Sequence, residues 1–391
     1  MQKLINMGSV VSYIIALGII FNTMNGTLSY SSFLISVSFV FVAWMFIKQL
    51  LYGNISKKYI HILLLSLIFV FLNITISGLG DFEYYKKAIM YMATIIWMAC
   101  CVNQSLSKKT ILIIFAINII INVLYLLFYR QGFAIYEGEM LLTLNFPNPN
   151  QTGMFLLNSI LYICVFIVSG RDLINKKKLY LLILFGLVLL LIAVSQLLFM
   201  TGCRSSFMAL ALFLLMVIID YLSKGGFVIK KWMAILIAVI PFVFVFFYLY
   251  YVDSFSADVS MGVVDAGKSS TTRVPIWRPI VDDFWHYFII GDYYGISNGT
   301  GMSQLHNTHL DVYASYGIVP LILYMRIIYL VIVQSMKIAV CRFQRISLYA
   351  FIACIVSCIF EASLVAGSAG MFLLTIGFLA LANSPMSRVN G

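Results

Sequence analysis

Charge is what this chain has least of. Acidic residues number 14 and basic ones 25 among 391, so only 10% of positions are charged, where a soluble domain carries about 25%. Hydrophobic residues make up 62%. A water-soluble globule is excluded, and length no longer counts domains. The chain reads as an all-α polytopic membrane protein. Gly/Ser linkers, heptad runs and repeats of fixed period are also missing, which leaves one membrane domain over residues 1–391. The seven cysteines show neither metal-ligand spacing nor a pairing pattern, and they read as small hydrophobes. No small-residue cleavage site follows the first apolar run, so that run is expected to be a retained helix. The net charge of +11 would suit nucleic acid, but basic cytoplasmic loops are a simpler source.

What is present is a series of apolar runs. About twelve are long enough to approach the ~20 residues a spanning helix needs: 8–22, 28–47, 59–79, 87–102, 110–129, 152–169, 179–200, 205–222, 232–251, 313–334, 346–366 and 369–384. Lysines and arginines fall in alternate loops: Lys57 and Lys58, Lys108 and Lys109, Arg171 to Lys178, Lys224 to Lys231, then Lys337 to Arg345. Nearly all the acids lie in the other set. The positive-inside rule then puts both termini and the basic loops in the cytoplasm. The loops after spans 3, 5, 7, 9 and 11 face outward. Arg204, the Arg130–Asn150 loop and the 252–312 loop between spans 9 and 10 share that extracytoplasmic side. Cytosolic nucleotides, nucleotide sugars and nucleic acid cannot reach it and are excluded as partners.

Asp253–Pro320 is the one long polar interval, and it gathers the residues suited to chemistry. Arg204 precedes it, at the join of two apolar spans in TGCRSSFMALAL. A guanidinium there either snorkels to lipid phosphates or holds an anionic ligand. Its small, hydroxyl-bearing neighbours Thr201, Gly202, Ser205 and Ser206 suit a phosphate. Arg273 and Arg278 flank Trp277 in RVPIWRPIVDDFW, and arginine forks match phosphate oxygens. The Pro275–Phe288 stretch has the pattern of an interfacial amphipathic helix with aromatics at headgroup level. Asp282-Asp283 could suggest a metal-binding pair, but no nucleotide sugar reaches this face. His306 and His309 sit three apart in QLHNTHLDVYASYGIVP without an obvious third metal ligand. Either is a structural residue or a base with a pKa near working pH, and Asp311 is placed to orient a ring. NFPNPNQTG (145–153) signals a turn and a capped helix start. Glu361 and Arg326, inside spans, need partners and could pair with each other.

These stretches together resemble the O-antigen ligase and O-antigen polymerase superfamily of membrane glycosyltransferases. The likeness lies in three motifs in order over Thr201–Pro320: the small-residue cluster around Arg204; Arg273 followed by Trp277, an amphipathic stretch and a Gly-aromatic-Gly turn (RVPIWRPIVDDFWHYFIIGDYYG); and His306-Asn307, nine residues, then Gly317 opening a helix. Where the family has another small residue three positions past that glycine, this chain has Pro320. The resemblance implies a metal-independent, cofactor-free, inverting transfer of a glycan from undecaprenyl pyrophosphate, at the periplasmic face of a bacterial inner membrane. It also implies a lipid-tail groove among the helices. By carry-over Arg204 and Arg273 grip the donor pyrophosphate and His306 activates the acceptor hydroxyl. Arg278, Asn307, His309 and Trp277 are the expected substrate-binding neighbours.

Within the family the acceptor is either another lipid-linked repeat unit (a polymerase, including a capsule polymerase) or lipid A core (a ligase). The acidic outer loops and compact polar loop favour the polymerase, with a chain-length regulator as a possible partner. A polysaccharide flippase is the reading from another class. It should show internal symmetry and mid-membrane charges, and this sequence shows neither half-to-half similarity nor many mid-span charges.

Overall fold

The computed structural model describes residues 55–77, 82–102, 106–128, 132–136, 139–144, 148–174, 176–223, 226–259, 273–292, 305–361 and 369–384, with isolated positions at 43–51, 146 and 296. The expected span 8–22 and nearly all of 28–47 lie outside the described residues. Each of the other ten expected spans carries a helix. These are α1 (Lys57–Ser77), α2 (Phe82–Cys101), α3 (Lys108–Phe128), α4 (Pro149–Ser169), α5 (Lys177–Met200), α6 (Arg204–Leu222) and α7 (Lys231–Val259). After two short helices, α8 (Val274–Asp282) and α9 (Phe284–Tyr287), follow α10 (Thr308–Tyr316), α11 (Ile318–Ile338), α12 (Arg342–Ser357) and α13 (Ala369–Ala382). Among the described residues seven helices (α1, α3, α4, α5, α6, α7 and α11) are long and apolar enough to cross a membrane. The molecule is therefore an all-α membrane protein in its architecture.

The helix limits follow from the chain. Asn148 caps α4, its side-chain oxygen accepting the Asn150 N–H at 2.7 Å, with Pro149 as the first helical residue. Lysines open α1, α3, α5 and α7, against the helix dipole, which favours anions there. The edge of the apolar layer, not the dipole, sets these starts. Together with Arg342 at the start of α12 and Lys337 near the end of α11, they mark one end of the bundle. There Arg342 lies 5.7 Å from the Tyr221 ring at the end of α6.

Helix α12 is the hub. It packs against α4, α6, α7, α11 and α13, and nearly all of its side chains are buried. Its polar side chains find partners inside the bundle: Gln344 donates to Ser384 O at 2.7 Å.

Three details depart from the sequence expectation. Within the run 346–366, described as far as Glu361, α12 ends at Ser357 and residues 358–360 turn. The amphipathic stretch 275–288 breaks at Asp283 into α8 and α9. A β-hairpin joins α3 to α4, with β1 (Phe133–Tyr136) antiparallel to β2 (Glu139–Leu142) and Ile135 opposite Met140.

Candidate functional site

The end of the bundle opposite the basic helix starts is where the polar residues meet. The key segment is the turn after α12. Four consecutive carbonyls there each accept a donor from the polar interval: Cys358 O from Thr308 N (3.1 Å), Ile359 O from the Asn307 amide (2.9 Å), Phe360 O from Arg273 Nη2 (3.2 Å) and Glu361 O from the Thr308 hydroxyl (2.9 Å). Carbonyls at a helix end lack intrahelical partners, and these donors, one backbone N–H and three from side chains, take the place of a further helical turn after Ser357.

The stop brings Glu361 to the centre. Its Oε1 accepts from Arg273 Nη2 at 3.2 Å, and its Oε2 lies 3.4 Å from His306 Nδ1. The side chains are 11% (Glu361), 15% (Arg273) and 19% (His306) exposed, so the bridge is sheltered and still open to a ligand. Both protein contacts of Arg273 use Nη2. Among the described residues Nη1 and Nε make no hydrogen bond. Those two nitrogens lie on different sides of the guanidinium, and each has an N–H to offer a separate acceptor.

His306 is held in a left-handed backbone conformation, φ +51°. A histidine there is uncommon, and its neighbours fix it. Leu305 O accepts the Trp277 indole N–H at 2.6 Å. The Asn307 amide also donates to Pro241 O at 2.7 Å, and its oxygen caps α10 by accepting Leu310 N–H at 2.8 Å. Pro241 lies inside α7 and lacks an N–H. On that same turn Ala238 O takes a hydrogen bond from His309 at 3.0 Å. Trp277 also packs on Tyr248 and Phe360, at 5.4 and 6.4 Å between ring centroids, forming an aromatic back wall.

The expected site residues thus sort into two groups. Arg273 and His306 come together around Glu361. Trp277, Asn307 and His309, the expected substrate-binding neighbours, are fully buried and frame the cluster. Burial pushes the His309 imidazole down to about 3, so it is neutral and donates to Ala238 O. Arg278 is exposed and forms a two-pronged pair with Asp253. Asp311 turns away from both histidines to a buried ion pair with Lys87 at 3.0 Å. Glu361 and Arg326 do not pair; Arg326 is exposed on α11.

Arg204 opens α6 with its side chain exposed. Its neighbour Cys203 packs so tightly against Gly153 of α4 that a Cβ at Gly153 would lie 2.3 Å from the Cys203 Cβ. The Cys203 thiol is pushed up by burial and, in addition, by the charge of Glu361. The glycines of the other two motifs also serve close approach. Gly291 (φ +74°) and Gly317 (φ +91°) let two backbone segments touch: a Cβ at Gly317 would sit 2.4 Å from Ile289 O. Asp292 N–H donates to Ala314 O (2.7 Å) and Ile318 N–H to Phe288 O (2.9 Å) across this contact. Pro320 is accommodated in the first turn of α11, its carbonyl accepting the Tyr91 hydroxyl at 2.9 Å. An open cleft of about 430 Å³ runs along α7, lined by Phe244, Phe247, Tyr248, Tyr250, Tyr251 and Ser254. Tyr248 belongs to both the cleft and the back wall.

No protein-family model matches this chain, and no curated protein matches it.

Proposed function

We propose that this protein is a membrane glycosyltransferase of the O-antigen polymerase type. It moves a glycan from an undecaprenyl-pyrophosphate carrier to a hydroxyl of another lipid-linked repeat unit, on the periplasmic side of a bacterial inner membrane. The observation that carries the reading is the Arg273–Glu361–His306 bridge. It sets a guanidinium with two unused donors beside an imidazole whose Nδ1 faces a carboxylate.

The chemistry follows from that arrangement. A carboxylate accepts only, so His306 carries its proton on Nδ1 and leaves the Nε2 lone pair free. Nε2 takes the proton of the acceptor hydroxyl as that oxygen bonds to the anomeric carbon. The bond from that carbon to the pyrophosphate oxygen breaks on the opposite face, with inversion. The charge that builds on the leaving pyrophosphate is taken up by Arg273, with Arg204 as the second cation, in place of a metal. The cleft along α7 is almost wholly aromatic, which suits a polyprenyl tail better than a sugar.

The test is transfer between lipid-pyrophosphate-linked glycans by purified protein in nanodiscs, without nucleotide or ion gradient. Elongated products are expected. His306→Ala and Arg204→Ala should each cut the rate by about 100-fold or more with membrane insertion intact, and near-normal activity in either removes that residue from the mechanism. In a strain lacking the gene, lipopolysaccharide should show core with a single repeat unit. Bare core would mean a ligase instead, and an unchanged ladder would overturn the assignment to O-antigen.

A further inference from the structure

The β-hairpin between α3 and α4 belongs to no part of the mechanism above, and its surface is unusual. The register sets Phe133, Ile135, Met140 and Leu142 on one face. Leu142, at the base, is fully buried, whereas Phe133, Ile135 and Met140 are 41%, 76% and 70% exposed. The opposite face is anchored. Leu141 lies against Gly202 of the α5–α6 turn, with its Cδ2 3.6 Å from where a Cβ would stand. Thr143 at the hairpin base donates its N–H to Gly132 O at 2.8 Å and its carbonyl accepts the Thr152 hydroxyl.

The hairpin is therefore a fixed element with one bare apolar face, and its surroundings say what covers that face. The membrane-crossing helix α3 ends beside it with Leu127 and Phe128 exposed at 66% and 72%. Helix α5, which packs against β2, ends with Phe199 exposed at 76% and Met200 also bare. In a spanning helix such side chains face acyl chains. The hairpin itself sits where these two spans finish, following the end of α3 in the chain and packing through Leu141 on the turn after α5.

We propose that the 133–142 hairpin is a membrane-docking element, with Phe133, Ile135 and Met140 seated in the lipid at the boundary between headgroups and acyl chains. In water an open two-stranded sheet with this face would be an aggregation site. At a bilayer surface the same pattern is an anchor. It holds the Gly202 turn, and with it Arg204, at a fixed height above the lipid.

The experiment is nitroxide scanning in phospholipid nanodiscs. Six of the seven native cysteines are buried, and the remaining one, Cys341, is changed to Ser. Ile135→Cys and Met140→Cys are then labelled separately and tested for collision with oxygen, which concentrates in lipid, and with a nickel chelate, which stays in water. Leu182→Cys, on the bare side of α5, and Asp283→Cys, exposed on the polar side, supply the lipid and water references. Oxygen accessibility exceeding that of nickel at both hairpin sites is the expected result. Nickel accessibility equal to that of the Asp283 reference overturns the proposal. Low accessibility to both reagents also overturns it, because the face is then covered by protein. Both positions are exposed, so labelled protein should elute and melt like the parent.

Discussion

At one end of the bundle Asp220 accepts four hydrogen bonds: Arg345 Nε (2.9 Å) and Nη2 (3.3 Å), the Tyr349 hydroxyl (2.8 Å) and Phe227 N (2.9 Å). At the other, the carboxylate of Glu361 accepts two, at 3.2 and 3.4 Å. Both acids are buried and both face an arginine, but they are built for different ends. The Asp220 carboxylate is saturated, and it pins the loop after α6 to the hub helix. Glu361 is under-used, its arginine has donors to spare, and the histidine beside it sits in a strained conformation. A buried ion pair with every valence filled is a fastening. One with valences left over keeps donors and acceptors to spare.

The largest test of that contrast is Asp220→Ala. It leaves the Arg345 charge, a hydroxyl and an N–H without their partner, and losing one side of a buried pair costs about 3–5 kcal/mol. Thermal melting by fluorescence-detected size exclusion should drop steeply, and unchanged melting would void the comparison. Glu361→Gln should do the reverse. The fold should melt within a few degrees of the parent, while kcat falls by about 100-fold or more as His306 loses its orienting carboxylate. KM for the donor should not rise, because Arg273 loses a competing anion. A raised KM with kcat unchanged would recast Glu361 as a binding residue.

His309 sharpens the comparison, since it is as buried as Asp220 but belongs to the site's frame. Its pKa is depressed to about 3, below the unfolded value of about 6.5. The unfolded chain therefore binds a proton that the folded one refuses. Stability from the neutral ring is present above about pH 6.5 and lost as pH falls toward 3, by up to about 1.4 kcal/mol per unit. His309→Gln, which can still donate to Ala238 O, should flatten that slope. An identical pH profile for the two proteins would mean that His309 is not the group responsible. The smallest effect is expected from Arg278→Ala. That arginine and Asp253 are exposed, and surface pairs contribute little, so melting should not move. A large drop would show that the pair fastens α8 to α7.

Much of this was legible in the residues. Apolar run length placed ten helices, and lysines marked the starts of four of them. NFPNPN foretold a capped helix, and motif order picked out Arg273 and His306. Glu361 stood out as an in-span acid in need of a partner, but its partners Arg273 and His306 were not legible, because it lies in a run that reads as one uninterrupted span. The carbonyls after its helix are bonded by donors from Arg273, Asn307 and Thr308, far back in the chain. Lys87 and Asp311 are separated by 224 positions, and no local pattern joins them. The hairpin strands are four residues each, too short for period-two alternation to stand out against apolar neighbours.

The four bonded carbonyls after α12 also have a consequence for synthesis. Everything up to Tyr316 can be made and inserted before residues 358–361 leave the ribosome, but until they arrive His306 has no carboxylate and Asn307 lacks one of its acceptors. The cluster around Glu361 is thus completed only once the turn after α12 has been synthesised. A nascent chain halted after α11 would reside in the membrane with that cluster unassembled.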